Sequence, residues 1–140
     1  MQKSDLCGAL IKKVHDELSK KANALLREQD LTLSQMNVLM ELEAGPGHQL
    51  SLKELEALLH VAQSTTAGIV ARLEQKGFVA SFTDETDRRV KKVSITPTGM
   101  ACCQNAKSHV KEMEDQLLSS LTESEQILFL DLLEKVFRGL

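Results

Sequence analysis

The segment LSLKELEALLHVAQSTTAGIVARLEQKGFVASFTDETDRRVKKVSITPTG, residues 50–99, contains two short helices followed by a hairpin. Ser51 and Glu54 form a capping box, which predicts that the first helix covers residues 52–59. The apolar periodicity that follows a three-residue turn predicts the second helix over residues 63–76. Two short helices joined by so tight a turn are typical of a helix-turn-helix.

A β-hairpin is predicted directly after the second helix, which ends at Gly77. The segments GFVASF and VKKVSIT have the β-branched and alternating residues of short strands, and the polar turn Asp-Glu-Thr-Asp lies between them. Two arginines and two lysines follow within and beside this turn, at positions 88, 89, 91 and 92. A charged hairpin beside a helix-turn-helix predicts a winged helix-turn-helix.

Long amphipathic helices are predicted on both sides of this unit, over residues 3–28, 97–119 and 123–138. A further helix is expected over residues 34–44, with Ser34 as its N-cap, before a loop that extends to residue 49. The long apolar stripes hold more surface than one small winged domain can cover, so we expect them to pair with a second copy. The predicted fold is mainly α, a winged helix-turn-helix with a two-stranded wing and long N- and C-terminal helices forming a dimerisation bundle.

The composition is that of a soluble globular chain of 140 residues, with 42% apolar and 26% charged residues. No apolar run reaches the roughly eighteen residues of a membrane span, and the N-terminus lacks the apolar region of a signal peptide. We therefore expect a cytoplasmic protein that does not bind membranes. Three cysteines, an odd number, argue against a disulfide framework.

The net charge of −3 argues by itself against a nucleic-acid partner, but the charges are unevenly distributed. Residues 60–96 carry six basic and four acidic groups, whereas the segments before and after are net acidic. A local positive field attracts a polyanion even when the whole chain is acidic. The hairpin therefore lies in the one part of the chain that favours double-stranded DNA.

The second helix of the pair has residue types that suit DNA recognition. Its predicted outer face carries small polar groups and one arginine: Gln63, Ser64, Thr65, Gly68 and Arg72. Such groups near a helix N-terminus can reach base edges in the major groove, and the terminus itself favours a phosphate.

The wing is expected to contact the DNA beside this helix. Arg88 can enter the minor groove, where the negative potential attracts arginine, and Lys91 and Lys92 can reach phosphates. Ser34, Gln35 and Lys53, near the starts of two other helices, are further candidates for phosphate contacts. The alternative for these three is that they are plain caps and solvated charge.

The whole of residues 50–99 resembles the winged-helix core of MarR-type transcriptional regulators. The matching features are the pattern L-x-x-L-E-x-x-L, the Ser64-Thr65 start of the second helix, and RLEQKGFV leading into the wing. The most specific is D-x-x-D-R-R-x-K-x-V-x-I-T-x-x-G at residues 84–99. The flanking helices also fit, so the resemblance covers nearly the whole chain.

The resemblance implies a homodimer on a pseudo-palindromic operator, released by an unknown small-molecule effector or a redox signal. It implies one unit over residues 1–140, in which 1–30 and 97–140 form the dimerisation helices and 31–96 the DNA-binding lobe. It places Arg88 at the wing tip in the minor groove and makes Arg89 a brace for the wing, paired with an aspartate such as Asp87. We expect a regulator, and a repressor rather than an activator.

The sequence departs from the family pattern in the recognition helix. Many members have a threonine–arginine pair where this chain has Ala67 and Gly68. An arginine that reads guanine is therefore missing, and direct readout is expected to be weaker or to depend on Gln63 and Arg72.

Two other functions are alternatives to DNA binding. A winged-helix module that binds proteins would present an uncharged or apolar face on residues 63–76, and the Gln-Ser-Thr start argues against it. An enzyme would need a nucleophile with a base, a metal cluster or a phosphate-binding loop, and the sequence contains none of these.

Cysteine and histidine positions predict neither a metal site nor a cofactor. The four histidines lack metal-ligand spacing. Cys7 lies near the position of the reactive cysteine in the hydroperoxide-sensing branch of the family, which makes it the candidate redox residue. That branch uses tyrosine partners and this chain has no tyrosine, so a small apolar interface residue is the favoured interpretation of Cys7.

Overall fold

The computed structural model of the protein describes residues 6–140 and contains six helices and three short strands within that range. The first predicted helix was expected from residue 3, and residues 3–5 lie outside the described part. The helices are α1 (Cys7–Leu26), α2 (Leu33–Ala44), α3 (Leu52–Leu59), α4 (Gln63–Gln75), α5 (Pro97–Leu117) and α6 (Glu123–Arg138). The strands are β1 (Gln49–Ser51), β2 (Val79–Thr83) and β3 (Lys91–Ile95).

Side-chain caps explain where most of these helices begin. The predicted capping boxes at Ser51 and at Thr122 are both present, each with its glutamate three residues later. Thr96 accepts a hydrogen bond from the Gly99 N–H at 3.0 Å, and Pro97 occupies the first helical position, as predicted. These starts could be predicted because a cap and its N–H partner lie within one turn of sequence.

The predicted N-cap of α2 was wrong. Thr32, not Ser34, begins this helix: its hydroxyl accepts from the Gln35 N–H and its own N–H donates to the Gln35 side chain, both at 3.2 Å. Thr-x-x-Gln satisfies two free N–H groups at once, whereas Ser34 as a cap would satisfy one. Ser34 therefore lies inside the first turn of α2.

The sheet has one strand more than predicted. Its order is β1-β3-β2 and all neighbours are antiparallel, with Val93 of β3 opposite both Leu50 and Ser81. The predicted two-stranded wing is β2 and β3, while β1 begins at Gln49, the last residue of the segment expected to be a loop. A strand of three residues is too short to show the alternation from which strands are predicted.

The core lies where α2, α4, the sheet and α5 meet. Its most buried large side chains are Leu26, Met36, Leu39, Leu42, Leu55, Leu73 and Val93. The long helix α5 packs against both α1 and α2. The predicted winged helix-turn-helix with long flanking helices is confirmed.

The start of α5 is fixed against the entry to the wing by Gly99. A Cβ at Gly99 would lie 2.0 Å from the carbonyl oxygen of Phe78, which no side chain could tolerate. Thr96 donates its hydroxyl to the carbonyl of Gly77 at 2.6 Å, and its N–H donates to the carbonyl of Phe78 at 3.0 Å. The wing and the long helix are therefore joined by backbone contacts that only glycine at position 99 permits.

Much apolar surface is exposed on the outer helices. The exposed residues on and next to α1 are Leu6, Leu10, Ile11 and Val14, and those on α6 are Ile127, Leu128, Phe129, Leu130, Leu132, Leu133, Val136 and Phe137. An apolar face of this size on a single chain marks an interaction surface. None of the described helices is long and apolar enough to cross a membrane.

Candidate nucleic-acid interface

The helix α4 presents the polar face predicted for it. Its buried side consists of Thr66, Val70 and Leu73. The five residues predicted to face DNA are all exposed: Gln63, Ser64, Thr65, Gly68 and Arg72. The Thr66 hydroxyl donates to the carbonyl of Ala62 at 3.2 Å, so this buried polar side chain is satisfied within the helix.

The N-terminus of α4 differs from those of α2, α3, α5 and α6. Its N-cap is Ala62, and no side chain caps the first N–H groups in the described structure, whereas the other four have threonine or serine caps. Free N–H groups and the positive end of the helix dipole favour an anion at this position. The exposed Gln63 and Ser64 side chains lie beside these groups.

Asp84 organises the tip of the wing. Its carboxylate accepts from the Thr86 hydroxyl at 2.5 Å and from the Asp87 N–H at 3.1 Å, and it pairs with the Lys92 ammonium at 3.3 Å. The Thr86 hydrogen bond, followed by that of Lys92, holds the pKa of Asp84 below its ordinary value. Because Lys92 is bound by Asp84, it braces the wing instead of projecting as a free cation.

Arg89 is a second brace, as the family resemblance implied. Its Nε and Nη2 donate to the two carboxylate oxygens of Asp87 at 3.1 and 3.2 Å, and its backbone N–H also donates to Asp87. Arg89 lowers the pKa of Asp87 through these hydrogen bonds. The Arg89 side chain remains 91% exposed, so pairing with Asp87 does not remove it from the surface.

Arg88 and Lys91 are the unpaired cations of the wing. Both are exposed, and neither forms an ion pair within residues 6–140. Of the four basic residues in the predicted hairpin, two are therefore used internally and two are available to an external anion. This division was not visible in the sequence, because the spacing of charges does not show which carboxylate each one meets.

An open groove of about 760 Å³ separates the wing from the helix-turn-helix. Its walls include Gln63 of α4, Lys53 and Glu56 of α3, and Arg89 and Lys91 of the wing. Asp87 also lines the groove, so its charged walls carry three cations, Lys53, Arg89 and Lys91, against two carboxylates. In a winged-helix complex a DNA strand passes between the helix in the major groove and the wing, so such a groove suits a phosphate backbone.

The three phosphate candidates outside α4 and the wing have different environments. Ser34 and Lys53 are exposed, each at the second position of its helix. Gln35 was wrongly predicted to be available for such a contact. It is only 5% exposed, and its side-chain oxygen accepts from the Thr32 N–H and from Lys76 at 2.9 Å. The capping box with Thr32 turns Gln35 inward, whereas the predicted cap at Ser34 would leave it outside the capping interaction.

The surface of α4 next to its polar residues carries only small side chains and is open to solvent. Ala67 and Gly68 are exposed, and a Cβ at Gly68 would meet nothing within 4 Å. The glycine is therefore not required by packing. The small side chains at positions 67 and 68 leave space on this helix face.

Cysteine environments differ sharply. Burial, followed by the nearby Glu43 carboxylate, raises the pKa of the Cys103 thiol to about 11, and burial also raises that of Cys102. Neither is an activated thiol, since reactivity requires the thiolate. Cys7 is exposed on α1. Among residues 6–140 no group of three or more histidine, cysteine or acidic residues could hold a metal ion.

Comparison with known proteins agrees with this geometry. The sequence profile of the MarR family matches residues 31–91. The chain is 29% identical over 111 residues to the HTH-type transcriptional regulator BilQ of Clostridium symbiosum, covering 79% of this chain and 76% of BilQ. It is 26% identical over 139 residues to the HTH-type transcriptional repressor IacR of Pseudomonas putida, covering 99% and 82% of the two chains.

Solved structures of DNA complexes have the same architecture. MepR of S. aureus in complex with DNA superposes with a TM-score of 0.88 at 26% identity, over 96% of this chain and 98% of MepR. A point mutant of MarR from E. coli in complex with operator DNA gives a TM-score of 0.84 at 28% identity, over 92% and 91% of the two chains. Residues 31–91 therefore match the MarR family, and the comparisons support a DNA-binding winged helix-turn-helix transcriptional regulator.

Proposed function

We propose that this regulator binds a pseudo-palindromic operator as a homodimer and represses transcription until a signal releases it. The observation that carries the proposal is the polar, uncapped start of α4 beside a wing whose free cations are Arg88 and Lys91. Both features favour a polyanion, and Gln63 and Lys91 line the same groove. Repression is also the activity named for IacR.

In this proposal α4 enters the major groove. Gln63, Ser64 and Thr65 approach base edges near the helix N-terminus, while Gly68 and Arg72 continue the same face. Small residues at positions 67 and 68 allow close approach but offer few donors, so base readout depends on Gln63 and Arg72. The sequence dependence of DNA shape then supplies much of the specificity.

The wing and the other helix starts position the protein on the DNA backbone. Arg88 enters the minor groove, and Lys91 contacts a phosphate from the edge of the groove between wing and helix. Arg89 holds the wing through Asp87 and offers its outer surface to the backbone. Ser34 and Lys53 contact phosphates on either side. These contacts give affinity and a steep dependence on salt.

We infer that residues 1–30 and 97–140 form the dimerisation helices and that residues 31–96 form the DNA-binding lobe of a single unit. The exposed apolar faces of α1 and α6 support this division, since burial in a second copy removes them from water. A twofold dimer presents two copies of α4 to two half-sites about one helical turn apart.

The releasing signal is a small molecule bound between the lobe and the dimerisation helices, or oxidation of the exposed Cys7. The raised pKa of Cys102 and of Cys103 makes them poorer sensors. A cytoplasmic location follows from the proposed operator binding, because the DNA is there.

The test is fluorescence anisotropy on the duplex upstream of the protein's own gene, beside a scrambled duplex, at two salt concentrations. The proposal expects tight binding that prefers the native sequence and weakens steeply with salt. Equally weak binding to the upstream and the scrambled duplex would mean that the operator lies elsewhere on the chromosome. A pool of random duplexes would then be used in place of the upstream duplex. Failure to bind any duplex at low salt would instead favour a protein-interaction module.

A further inference from the structure

Lys76 sits at the junction between the recognition helix and the rest of the molecule. It directly follows α4, and its backbone N–H donates to the carbonyl of Arg72 at 3.2 Å. The next two N–H groups, of Gly77 and Phe78, return to the carbonyls of Glu74 and Leu73, both at 3.0 Å. The backbone of Lys76 therefore moves with α4 as a rigid extension of it.

The Lys76 ammonium reaches away from α4 to the turn between α1 and α2. It donates to the backbone carbonyl of Asp30 and, at 2.9 Å, to the side-chain oxygen of Gln35. The Asp30 carboxylate lies 3.7 Å from the same nitrogen. Only 24% of the side chain is exposed, although lysine is normally a solvated residue. The ammonium group therefore binds acceptors within the protein and is largely shielded from solvent.

The acceptors of the ammonium are also held by hydrogen bonds that do not involve the lysine. Asp30 has a left-handed backbone, with φ 56° and ψ 40°, and its N–H donates to the carbonyl of Arg27. Gln35 is 5% exposed and is fixed by the capping box with Thr32. A preorganised set of acceptors makes the position of the ammonium well defined.

These contacts join parts of the chain that are distant in sequence. Lys76 is 46 residues from Asp30 and 41 residues from Gln35. Asp30 ends the α1 segment, whose exposed apolar face is the proposed dimer surface, and Lys76 ends the helix proposed to read DNA. The contacts of Lys76 to Asp30 therefore cross the boundary between the two parts of the regulator, whereas its hydrogen bond to Gln35 lies within the lobe.

We propose that Lys76 is a positioning residue that fixes the angle of the recognition helix to the dimer helices and so sets the half-site spacing that the dimer accepts. The inference rests on the proposed function, since it needs a dimer on two half-sites. The apolar contacts of Val70 and Leu73 still hold α4 in the lobe without Lys76. The hydrogen bonds from Thr96 to the carbonyls of Gly77 and Phe78 still join the end of α4 to α5, so loss of the lysine frees the lobe from the α1 segment alone and leaves the reading surface intact.

The experiment uses a palindromic duplex that the wild-type protein selects from a random pool. Variants of this duplex lengthen or shorten the distance between half-sites by one or two base pairs, and one duplex keeps a single half-site. Anisotropy then compares wild type with Lys76→Met, with Lys76→Arg, which keeps a donor cation, and with Lys111→Met. Lys111 is exposed and pairs with Asp115 within α5, so it controls for the lost charge.

We expect wild type and Lys111→Met to prefer one spacing by about tenfold or more. Lys76→Met should bind the single half-site as wild type does, with its preference among spacings reduced at least about threefold by the lost hydrogen bonds. Lys76→Arg should recover part of that preference.

An unchanged spacing profile in Lys76→Met would overturn the inference. So would an equal loss on the single half-site and on every spacing, because that marks a local structural role. If Lys76→Met does not fold, Lys76→Gln provides the same comparison with a polar side chain. If the wild type selects no duplex at all, the proposed function fails first, and that failure is separate from the role of Lys76.

Discussion

The Arg89 guanidinium donates two hydrogen bonds, at 3.1 and 3.2 Å, to the carboxylate of Asp87, which lies two residues before it at the wing tip. Arg88, its neighbour in sequence, forms no ion pair in the described structure. Adjacent arginines therefore have different environments. One shapes the wing and the other projects from it.

Replacing Arg88 by alanine tests the external contact. Arg88→Ala should weaken DNA binding and lower the slope of log affinity against log salt concentration by about one unit. The dimer should be unaffected, because the wing is remote from α1 and α6. Anisotropy titrations at several salt concentrations measure the slope.

The matched control for this change is Lys111→Ala, which removes one positive charge from the outer face of α5. Its salt slope should equal that of the wild type. An Arg88→Ala slope as steep as the wild type would show that the wing tip does not contact DNA.

The Arg89–Asp87 pair should act as a unit. Arg89→Ala and Asp87→Ala each free the wing tip, so each should weaken DNA binding, even though the second removes a negative charge. The fold-loss of DNA affinity in the double variant should be smaller than the product of the fold-losses in the two single variants. Anisotropy on the three variants gives the coupling, and independent losses would mean that Arg89 acts on DNA without its partner.

The wing should be insensitive to pH near neutrality and loosen only in acid. Hydrogen bonds from Thr86 and Arg89 hold the pKa values of Asp84 and Asp87 below the ordinary carboxyl value of about 3.9. A carboxylate with a depressed pKa stabilises the fold at every pH above its ordinary pKa. That stabilisation is lost as the pH falls through the depressed pKa. The NMR chemical shifts of the Asp87 and Val90 amides, measured across an acid titration, would follow this loosening of the wing tip. A transition between pH 5 and pH 7 would contradict the assignment.

An aspartate on the exposed apolar face of α6 should break the dimer. Leu133→Asp would bury an unpaired charge in the interface, which should raise the dimer dissociation constant by at least about a hundredfold. Sedimentation velocity measures the change. Ser108→Asp, on the polar face of α5, is the control and should remain dimeric. A Leu133→Asp protein with unchanged sedimentation would place the interface elsewhere.

Two glycine-to-alanine changes should have opposite effects on stability. Gly99→Ala forces a Cβ against the carbonyl of Phe78 and should destabilise the protein by about 2 kcal/mol or more. Gly68→Ala adds a methyl group in open space on an exposed helix and should stabilise it by about 0.5–1 kcal/mol. Urea unfolding of both variants makes the comparison. Equal effects would mean that the close contact at Gly99 relaxes at little cost.

Local features of the fold were accessible from the sequence. The capping boxes at Ser51 and Thr122, the Thr96-Pro97 start of α5 and the left-handed Gly77 were all predictable. Each depends on residues within one or two turns of each other. The exposed face of α4 was equally predictable, because helical periodicity assigns residues to faces before the partner is known.

The sequence by itself determined the winged helix-turn-helix, the long apolar helices and the basic wing, because period, caps and turn residues are encoded locally. Only the tertiary structure decided which charges are free. Lys92 and Arg89 meet carboxylates, Gln35 turns inward, and Lys76 crosses to Asp30. These partners are chosen by three-dimensional distance. The strength of a charge pair depends on that distance and on burial, and neither quantity is written in the order of the residues.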